Sequence, residues 1–584
     1  MIQKGIYPYE FIDNYNKMYT TILPSQEKFY SKLNDSNCDD KDYLVAKTVW
    51  EKFNCKKFLD YHNVYLKSDV LLLSDVWENF RKTCYKIYEL DTSYYFTAPG
   101  LSWDAFLKHK HDQTNGEYYI ELLTQNDMYL FFESGIRGGL SQITKRYAKA
   151  NNKYMSNYVE EQMDEYILYL DANNLYGYAM SQYLPQKDFK WNYQNWDDKK
   201  ILDIKDDAKI GYTFSVDLHY PKKLHDLHNN YPLAPENKTI KKEWLNDWQQ
   251  EDYNESKIEK LITNFYDKKD YVVSYRILKL YLQLGLKITK INKVLEYEQN
   301  DYMKSYIMKN TNERTTAKND FEKDFYKLMN NSVYGKTMEN VRNRISFILV
   351  SSEKKALNMR NEYKKFTPFN NNLVGVHLCK KEVTLNKPIF IGHTVLDQSK
   401  YLMYDFHYNF ILKKFKRENV DLLFTDTDSL CYHFKNEDPF EVIKNNKDLF
   451  DLSEYSKDSP LYDPTNKKVI GKFKNESVEQ ITEFVGLRSK LYAYSVDEET
   501  KDHKKCKGVK KYVVNQNLTL DLYKNVLHSR KSHEVKQNGF MSKKHEVFTL
   551  SQNKIALSAT DDKVYICENN IDTYNHGHYK ILKK

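Results

Sequence analysis

Residues 423–432 read LFTDTDSLCY, a short acidic centre between two apolar runs. The pattern predicts two strands joined by a tight turn over residues 420–434. Asp426 and Asp428 are two positions apart, and strand side chains repeat every two residues, so both carboxylates can face one pocket. Because buried like charges repel, such a pair predicts a divalent cation; an ordinary acidic turn is the alternative.

A second acidic strand end precedes this hairpin in the chain. Residues 166–171 read YILYLD, which predicts a strand that ends on Asp171. Two strands that each deliver a carboxylate can hold two Mg²⁺ ions roughly 3.5–4 Å apart, which stabilises the attacking and leaving oxygens of phosphoryl transfer. Two unrelated turn aspartates are the alternative.

A lysine-rich helix face lies between the two acidic strands in the sequence. Lys327, Asn331 and Tyr334 occupy positions i, i+4 and i+7, and Lys323 extends the same face by one turn. Such a face can bind triphosphate oxygens and stack on a base, and Gly335 would permit a close approach. A solvated lysine face is the alternative.

A fourth short pattern follows the acidic hairpin. Residues 490–492 read KLY, and in a strand Lys490 and Tyr492 would share one face. A lysine beside a tyrosine can bind a phosphodiester together with a sugar or base edge.

Periodicity and composition predict the remaining organisation. The chain is expected to form helices over residues 41–90, a strand over 211–218, two helices over 300–334 that meet at Thr311 and Asn312, a polar insert at 220–270 and an irregular, polar insert at 345–390.

Composition narrows the class of protein. The chain has 584 residues, a soft expectation of about four domains of ~150 residues. Hydrophobic residues make up 41%, which excludes wholesale disorder. No apolar run reaches the ~18 residues of a membrane helix, and the first residues lack a signal-peptide core. Seven cysteines without a Cys-x-x-Cys pair favour an intracellular setting, with nucleus, virus factory and organelle not distinguished.

Charge is unevenly distributed along the chain. Lys and Arg number 89 against 81 Asp and Glu, a net charge of +8. Residues 501–584 hold 17 of the basic and 8 of the acidic residues. The net charge of the chain therefore combines a near-neutral body with a basic C-terminal segment. Such a segment can bind the phosphates of a nucleic-acid backbone; a solvated lysine-rich tail is the alternative.

These elements, in this order, resemble family B DNA polymerases of the viral, mobile-element and linear-plasmid branch, which includes protein-primed enzymes. Residues 171–177 resemble the Asp-x-x-Ser-Leu-Tyr-Pro palm motif, 327–335 the Lys-x-x-x-Asn-Ser-x-Tyr-Gly fingers motif, 426–429 the Asp-Thr-Asp-Ser motif and 490–492 the Lys-x-Tyr motif. Two further resemblances are the Arg-Gly-Gly segment between exonuclease and polymerase domains, at Arg137, Gly138 and Gly139, and the third exonuclease motif, at Tyr65 and Asp69.

The resemblance implies roles for individual residues. Asp171 and Asp428 would bind two Mg²⁺ ions, for which Mn²⁺ can substitute, with Asp426 supporting the catalytic site. The nucleotide-binding residues would be Leu175, Tyr176, Arg314, Lys323, Lys327, Asn331, Tyr334 and Gly335, with Tyr176 excluding a 2′-hydroxyl. Primer and template would contact Arg137, Gly138, Gly139, Thr427, Ser429, Lys490, Tyr492, Lys507 and Lys510.

The resemblance also implies an α+β fold: a right-hand polymerase of palm, fingers and thumb, preceded by a truncated, RNase H-like exonuclease domain. The expected segments are 1–130 exonuclease-like, 131–219 palm, 220–270 an insert like the priming insert, 271–299 palm, 300–344 fingers, 345–390 a second insert, 391–495 palm and 496–584 thumb.

The expected activity is DNA-templated DNA synthesis from dNTPs on primer-template DNA, with or without a terminal priming protein and with no membrane partner. A catalytically inactive DNA-binding remnant is the alternative; a reverse transcriptase is disfavoured because that class carries Tyr-x-Asp-Asp. Three positions depart from the family pattern: Ile136, Asn174 and Gly177. Residues 1–64 contain no recognisable Asp-x-Glu motif, so we expect a truncated exonuclease domain without 3′–5′ activity.

Overall fold

The computed structural model describes residues 4–359, 363–379, 382–497, 502–543 and 546–581. The helices are α1 (Asp40–Lys52), α2 (Phe58–Tyr88), α3 (Ala98–Gln113), α4 (Asn126–Ser134), α5 (Leu175–Met180), α6 (Asp198–Leu202), α7 (His225–His228), α8 (Asp247–Glu251), α9 (Tyr275–Gln283), α10 (Lys304–Thr316), α11 (Asp320–Thr337), α12 (Glu353–Asn358), α13 (Ile389–Asp405), α14 (Leu412–Lys414), α15 (Pro439–Lys444), α16 (Lys511–Asn517) and α17 (Leu520–Ser529).

The strands are β1 (Ser141–Ile143), β2 (Tyr147–Lys149), β3 (Glu165–Ala172), β4 (Leu184–Trp191), β5 (Ile210–His219), β6 (Glu236–Lys238), β7 (Lys260–Ile262), β8 (Lys268–Ser274), β9 (Lys287–Asn300), β10 (Ser346–Val350), β11 (Tyr363–Asn370), β12 (Leu373–Leu378), β13 (Val420–Asp426), β14 (Ser429–Lys435), β15 (Phe473–Asn475), β16 (Ile481–Arg488), β17 (Leu491–Val496), β18 (His503–Cys506), β19 (His533–Lys543), β20 (Glu546–Leu557), β21 (Tyr565–Ile566) and β22 (Thr573–Tyr574).

A five-stranded sheet, here called the central sheet, has the strand order β1-β13-β14-β3-β15. Its inner strands β13, β14 and β3 are mostly buried, which their nearly continuous apolar sequences require. The predicted strand at 166–171 and the predicted hairpin at 420–434 are confirmed. Antiparallel pairing of β14 with β3 sets Ser429 opposite Asp171, so both acidic strand ends meet at one edge of the sheet.

A second sheet has the order β4-β9-β5-β8 and shares a hydrophobic core with the central sheet. The predicted strand at 211–218 is confirmed within β5. Most of the polar segment 220–270 is inserted between β5 and β8, and it contains α7, α8 and the β6–β7 hairpin.

The helical predictions agree with the structure except at one break. Residues 41–90 form α1 and α2. Residues 300–334 form two helices, but these separate at 317–319, so the predicted break at Thr311 and Asn312 is wrong. The Thr311 hydroxyl donates to the Ile307 carbonyl at 2.8 Å, which accommodates a threonine inside α10. The next helix begins instead where the Asn319 side chain accepts from the Glu322 N–H at 2.9 Å.

The prediction of an irregular segment at 345–390 is also wrong for its described residues. Strands β10, β12 and β11 form an antiparallel three-stranded sheet. Strand β11 is mostly solvent-exposed, whereas β10 and β12 are short apolar runs, which periodicity alone does not assign to a strand.

The C-terminal part contains a third sheet of order β18-β17-β16-β2, which packs with α16 and α17 around its own core. The long β19–β20 hairpin extends from this region with mostly exposed residues. The chain then returns towards β1 and β2, where the buried Arg146 guanidinium donates to the carbonyls of Ala559 at 2.5 Å and Asn570 at 3.1 Å. Across the described parts of the chain, no helix combines the length and apolar character needed to cross a membrane.

Candidate nucleotidyl-transfer site

Two carboxylates meet at the edge of the central sheet. Asp428 lies in the turn between β13 and β14, and its carbonyl accepts from the Ala172 N–H at 2.7 Å. Asp171 is the residue before Ala172 near the end of β3, so one backbone hydrogen bond holds the two aspartates in adjacent positions. The structure therefore brings together the two residues that the sequence predicted as a pair.

The pair is electrostatically unfavourable by itself. Burial, with the neighbouring Asp428 and Glu476 carboxylates, raises the pKa of Asp171 to about 8. Burial also raises the pKa of Asp428, and Asp426 adds to the effect. Two partly buried carboxylates with raised pKa values are stabilised by a positive charge placed between them, and their oxygens are the ligands that Mg²⁺ prefers. Within the described residues, no three or more His, Cys, Asp or Glu side chains are grouped as metal ligands. The protein ligands that the site offers to a cation are therefore the two neighbouring carboxylates of Asp171 and Asp428.

Asp426 has a different environment from the pair. The Lys490 ammonium contacts its Oδ1 atom at 2.6 Å, which joins the acidic hairpin to the β16–β17 hairpin. The prediction that Lys490 shares a strand face with Tyr492 is wrong, because Lys490 lies in the turn before β17 with φ of 61°. Tyr492 is buried against the Phe424 ring at 4.5 Å, and its hydroxyl is 3.2 Å from that of Tyr169.

Helix α11 presents its cationic face towards the acidic pair. The Lys327 charge offsets part of the rise in the pKa of Asp171 and of Asp428, so it acts on both carboxylates. The prediction that Lys327, Asn331 and Tyr334 share one helix is confirmed. The Asn331 Oδ1 atom is buried without a hydrogen-bond partner among the described residues, and Gly335 is exposed with open space at its Cβ position.

Two tyrosines join the acidic strand to this helix. The Tyr176 ring, in α5, stacks on the Tyr334 ring with centroids 4.3 Å apart and planes inclined by 29°. The turn before α5 is closed by Asn174, with φ of 44°, whose side chain accepts from the Gly177 N–H at 3.2 Å. Leu175 is buried in the core, so its side chain supports the turn.

The two glycines predicted to bind primer or template lie beside the acidic hairpin. Gly138 and Gly139 are both exposed. A Cβ on Gly139 would lie 2.4 Å from Thr427 Oγ1, whereas Gly138 has open space there. The Thr427 N–H donates to the Leu140 carbonyl at 2.7 Å, which fixes this segment to the hairpin. Ser429, also predicted to bind primer or template, is buried at the start of β14.

Arg137 points inward rather than to the surface. Its guanidinium donates to the carbonyls of Gly135 at 3.1 Å and Val272 at 2.8 Å. The guanidinium carbon also lies 3.7 Å from the centre of the Tyr271 ring. A direct phosphate contact by Arg137 would require the guanidinium to leave these partners.

One of the two predicted thumb lysines, Lys507, borders a broad cleft. A cavity of about 850 Å³ is lined by Lys490 and Lys507, and also by Arg488, Lys260 and Lys563. Lys507 is exposed, and its N–H donates to the Lys490 carbonyl at 3.2 Å. Lys510 is exposed at the start of α16. Its lining holds these five cations against three carboxylates, Asp252, Asp561 and Asp562, so the cleft is net positive between the acidic hairpin and the C-terminal sheet.

Tyr65 and Asp69 lie on one face of α2, four residues apart. The Tyr65 hydroxyl is 2.6 Å from that of Tyr9, and burial together with its hydrogen bonds to Tyr9 and Asp69 raises the pKa of Tyr65. The absence of exonuclease activity stays a prediction.

Sequence reasoning missed several residues at the site. The 451–472 loop places Lys468 beside Asn173, Arg314 and Lys327, with which it lines one narrow cavity. Lys474 pairs with Asp171 across β15 and β3 and contacts Glu476 at 2.7 Å. No local sequence pattern predicts that these residues lie at the site, because their contacts join segments almost 300 positions apart. The lysine pair at 467–468 is the one signal that the sequence offers.

Paired carboxylates on neighbouring strands, opposite a cationic helix, are typical of enzymes that transfer nucleotidyl groups. Residues 1–387 match the family described as DNA polymerase type B, organellar and viral. The match covers well over half of the chain, so the chain belongs to this family.

Two further comparisons agree with the family. A probable DNA polymerase from Podospora anserina is 23% identical over 190 residues, which make up 32% of this chain and only 14% of that relative. The fold is similar to Phi29 DNA polymerase in complex with primer-template DNA and incoming nucleotides, with a TM-score of 0.52, 15% identity and coverage of 95% of this chain and 79% of that chain. The post-translocation complex of Phi29 DNA polymerase with primer-template DNA has a TM-score of 0.52, 16% identity and coverage of 87% and 78%. At such identity these likenesses show a shared mixed α/β fold.

Proposed function

We propose that this chain is a DNA-templated DNA polymerase that adds dNTPs to a primer 3′-hydroxyl. The observation that carries the proposal is the position of the acidic pair, Asp171 and Asp428, which are adjacent across β3 and the β13–β14 turn and interact electrostatically with Lys327 of α11. A dNTP carries its negative charge on the triphosphate. The α-phosphate, where the reaction occurs, would lie between the acidic pair and Lys327. The rest of the triphosphate would point towards the cations.

The acidic pair fits two Mg²⁺ ions, with Mn²⁺ as a substitute. Asp171 and Asp428 would hold them, since their carboxylates are close, partly buried and have raised pKa values. The bound ions supply charge neutralisation at the attacking and leaving oxygens. Asp426 supports the site by its ion pair with Lys490, which positions the lysine beside the expected primer end.

The remaining residues bind and orient the substrates. Lys327, Lys323 and Arg314 would contact the triphosphate, while Asn331, with its unpartnered oxygen, would face the nascent base pair. Tyr176, held by its stack on Tyr334, would lie under the sugar and exclude a 2′-hydroxyl. Binding in this orientation brings the 3′-hydroxyl to the α-phosphate: an O–P bond forms and pyrophosphate leaves.

Residues 507–510 and the cleft beside them would bind the duplex through its phosphates, without reading sequence. In this proposal α11 belongs to the fingers, the central sheet to the palm and the C-terminal sheet with its long hairpin to the thumb. Initiation from a terminal protein and from a nucleic-acid primer are both open, and omission of the nucleic-acid primer distinguishes them.

Primer extension tests the proposal. Wild-type protein with a DNA primer-template, the four dNTPs and Mg²⁺ is expected to extend the primer, and Asp428→Ala is expected to bind the same DNA without extending it. Glu479→Gln, which changes a carboxylate outside the described site, serves as the matched control. Equal extension by wild type and Asp428→Ala would contradict the proposal, and DNA binding by an inactive wild type would favour the non-catalytic remnant.

A further inference from the structure

The 451–472 loop places a lysine opposite helix α11. Lys468 lines a cavity together with Arg314, Lys327 and Asn174, so its side chain comes from the loop side while the other two cations come from α10 and α11. The cavity has a volume of about 10 Å³, room for one water-sized group such as a single phosphate oxygen. The three cations therefore surround a space that suits a small anionic atom.

The cations that line this cavity have no carboxylate within ion-pair distance among the described residues. Among the described residues, no carboxylate forms an ion pair with Lys468, Lys327 or Arg314, and the Arg314 Nε atom is buried without a hydrogen-bond partner. Burial, together with the charges of Arg314, Lys323 and Lys467, lowers the pKa of Lys468. The like charges of these side chains repel one another, and an anion bound between them would offset that repulsion.

The backbone of Lys468 is fixed relative to the catalytic carboxylates. Its N–H donates to Asp451 Oδ2 at 2.8 Å, and the same oxygen accepts from the Asn173 side-chain amide at 2.7 Å. Two backbone bonds complete the connection: Gly471 N–H to the Asn173 carbonyl at 2.7 Å, and Asn173 N–H to the Lys472 carbonyl at 2.8 Å. Because Asn173 is two residues after Asp171, the loop and the acidic pair share one rigid support.

We propose that Lys468 is a further nucleotide-binding residue, which contacts the polyphosphate of the incoming dNTP from the side opposite α11. The inference rests on the proposed polymerase function, which it deepens. Arg314, Lys323 and Lys327 are on helices of one segment, whereas Lys468 is attached to the strand that carries Asp171. The polyphosphate is thus bound on two sides, and Lys468 aligns it with the carboxylate pair.

Lys468→Met tests the inference, because methionine keeps the length of the side chain and removes its charge. Lys467→Met is the matched control, since Lys467 is the adjacent lysine and is exposed. In single-nucleotide incorporation, Lys468→Met is expected to raise the KM for dNTP about 10-fold to 100-fold, the loss of one charge-assisted hydrogen bond, with little change in the affinity for primer-template DNA. Lys468→Arg is expected to restore most of the KM.

A binding measurement separates this inference from the proposed function. Inorganic tripolyphosphate, titrated into wild type and both variants by calorimetry, is expected to bind about 10-fold more weakly to Lys468→Met than to Lys467→Met. If the wild-type protein fails to extend a primer, the polymerase proposal is overturned. The titration would still measure the contribution of Lys468 to tripolyphosphate binding. If the two methionine variants agree within two-fold in tripolyphosphate affinity, or in dNTP KM in an active enzyme, the inference is wrong.

Discussion

Gly139→Ala should reduce nucleotide incorporation sharply without unfolding the protein. The new Cβ would lie 2.4 Å from Thr427 Oγ1, 2.6 Å from its Cγ2 and 3.0 Å from its Cβ, whereas ordinary contacts begin near 3.4 Å. Rotation of the threonine does not relieve the overlap, because its Cβ is also too close. The Thr427 N–H is bound to the Leu140 carbonyl at 2.7 Å, so relief requires the turn before Asp428 to move by about 1 Å.

A displacement of that size at a catalytic carboxylate costs about 100-fold in rate. Single-turnover incorporation of one dNTP measures this loss directly, and circular dichroism confirms the fold. Gly138→Ala is the matched control, since its Cβ meets open space among the described residues and neither glycine has positive φ. Thr427→Gly in the Gly139→Ala background removes the clashing atoms, so the double variant should recover the rate of Thr427→Gly alone, which lacks the same predicted primer or template contact. Rates of the two alanine variants within three-fold of each other would refute the reasoning.

Two further outcomes are expected. Tyr176→Ala should lower the preference for dNTP over rNTP about 100-fold, while Tyr176→Phe keeps the stack on Tyr334 and the preference; equal discrimination in all three proteins would remove the sugar-gate role. Burial opposes ionisation of Asp421, but Lys145 at 2.6 Å and Lys435 at 3.1 Å outweigh it and hold its pKa at about 2. Because this pKa lies below the unfolded value, the stabilisation is complete above about pH 4 and is lost as pH falls through 2. Urea unfolding should show Asp421→Asn less stable by about 2 kcal/mol at pH 7, with the gap closing towards pH 2; a gap independent of pH would contradict this assignment.

The parts of the site that could be predicted from sequence depend on local periodicity. The alternation around Asp426 and Asp428 predicts a hairpin, and the spacing of Lys327 to Tyr334 predicts one helix face, because both patterns arise from backbone geometry alone. The contact of Lys468 with the site depends on a loop folding back over Asn173, which no local pattern records. Lys490 shows the same limit, since its turn conformation is set by the hairpin that surrounds it.

The fold was predictable to a similar extent. Buried strands such as β3 and β14 have apolar sequences that few other structures accommodate. The strands of residues 346–378 pair with one another, but β11 is mostly exposed and β10 and β12 are short apolar runs that periodicity alone does not assign. The break between α10 and α11 depends on Asn319 acting as the N-cap of α11. Several other polar residues nearby could serve as an N-cap, so the sequence does not single out Asn319.

The electrostatics of the site explains why its two halves depend on each other. Burial and the neighbouring Asp428 carboxylate raise the pKa of Asp171, and the cations around Lys468 likewise repel one another. Each cluster of like charges is unfavourable alone. In the proposed function one substrate neutralises both, because its polyphosphate binds the cations and its reacting centre brings divalent cations to the carboxylates. Because Asn173 links the loop of Lys468 to the strand of Asp171, the proposed function has binding energy at the polyphosphate converted into alignment of the α-phosphate. On this proposal, the site should favour a nucleoside triphosphate over a monophosphate even where the base and sugar are identical.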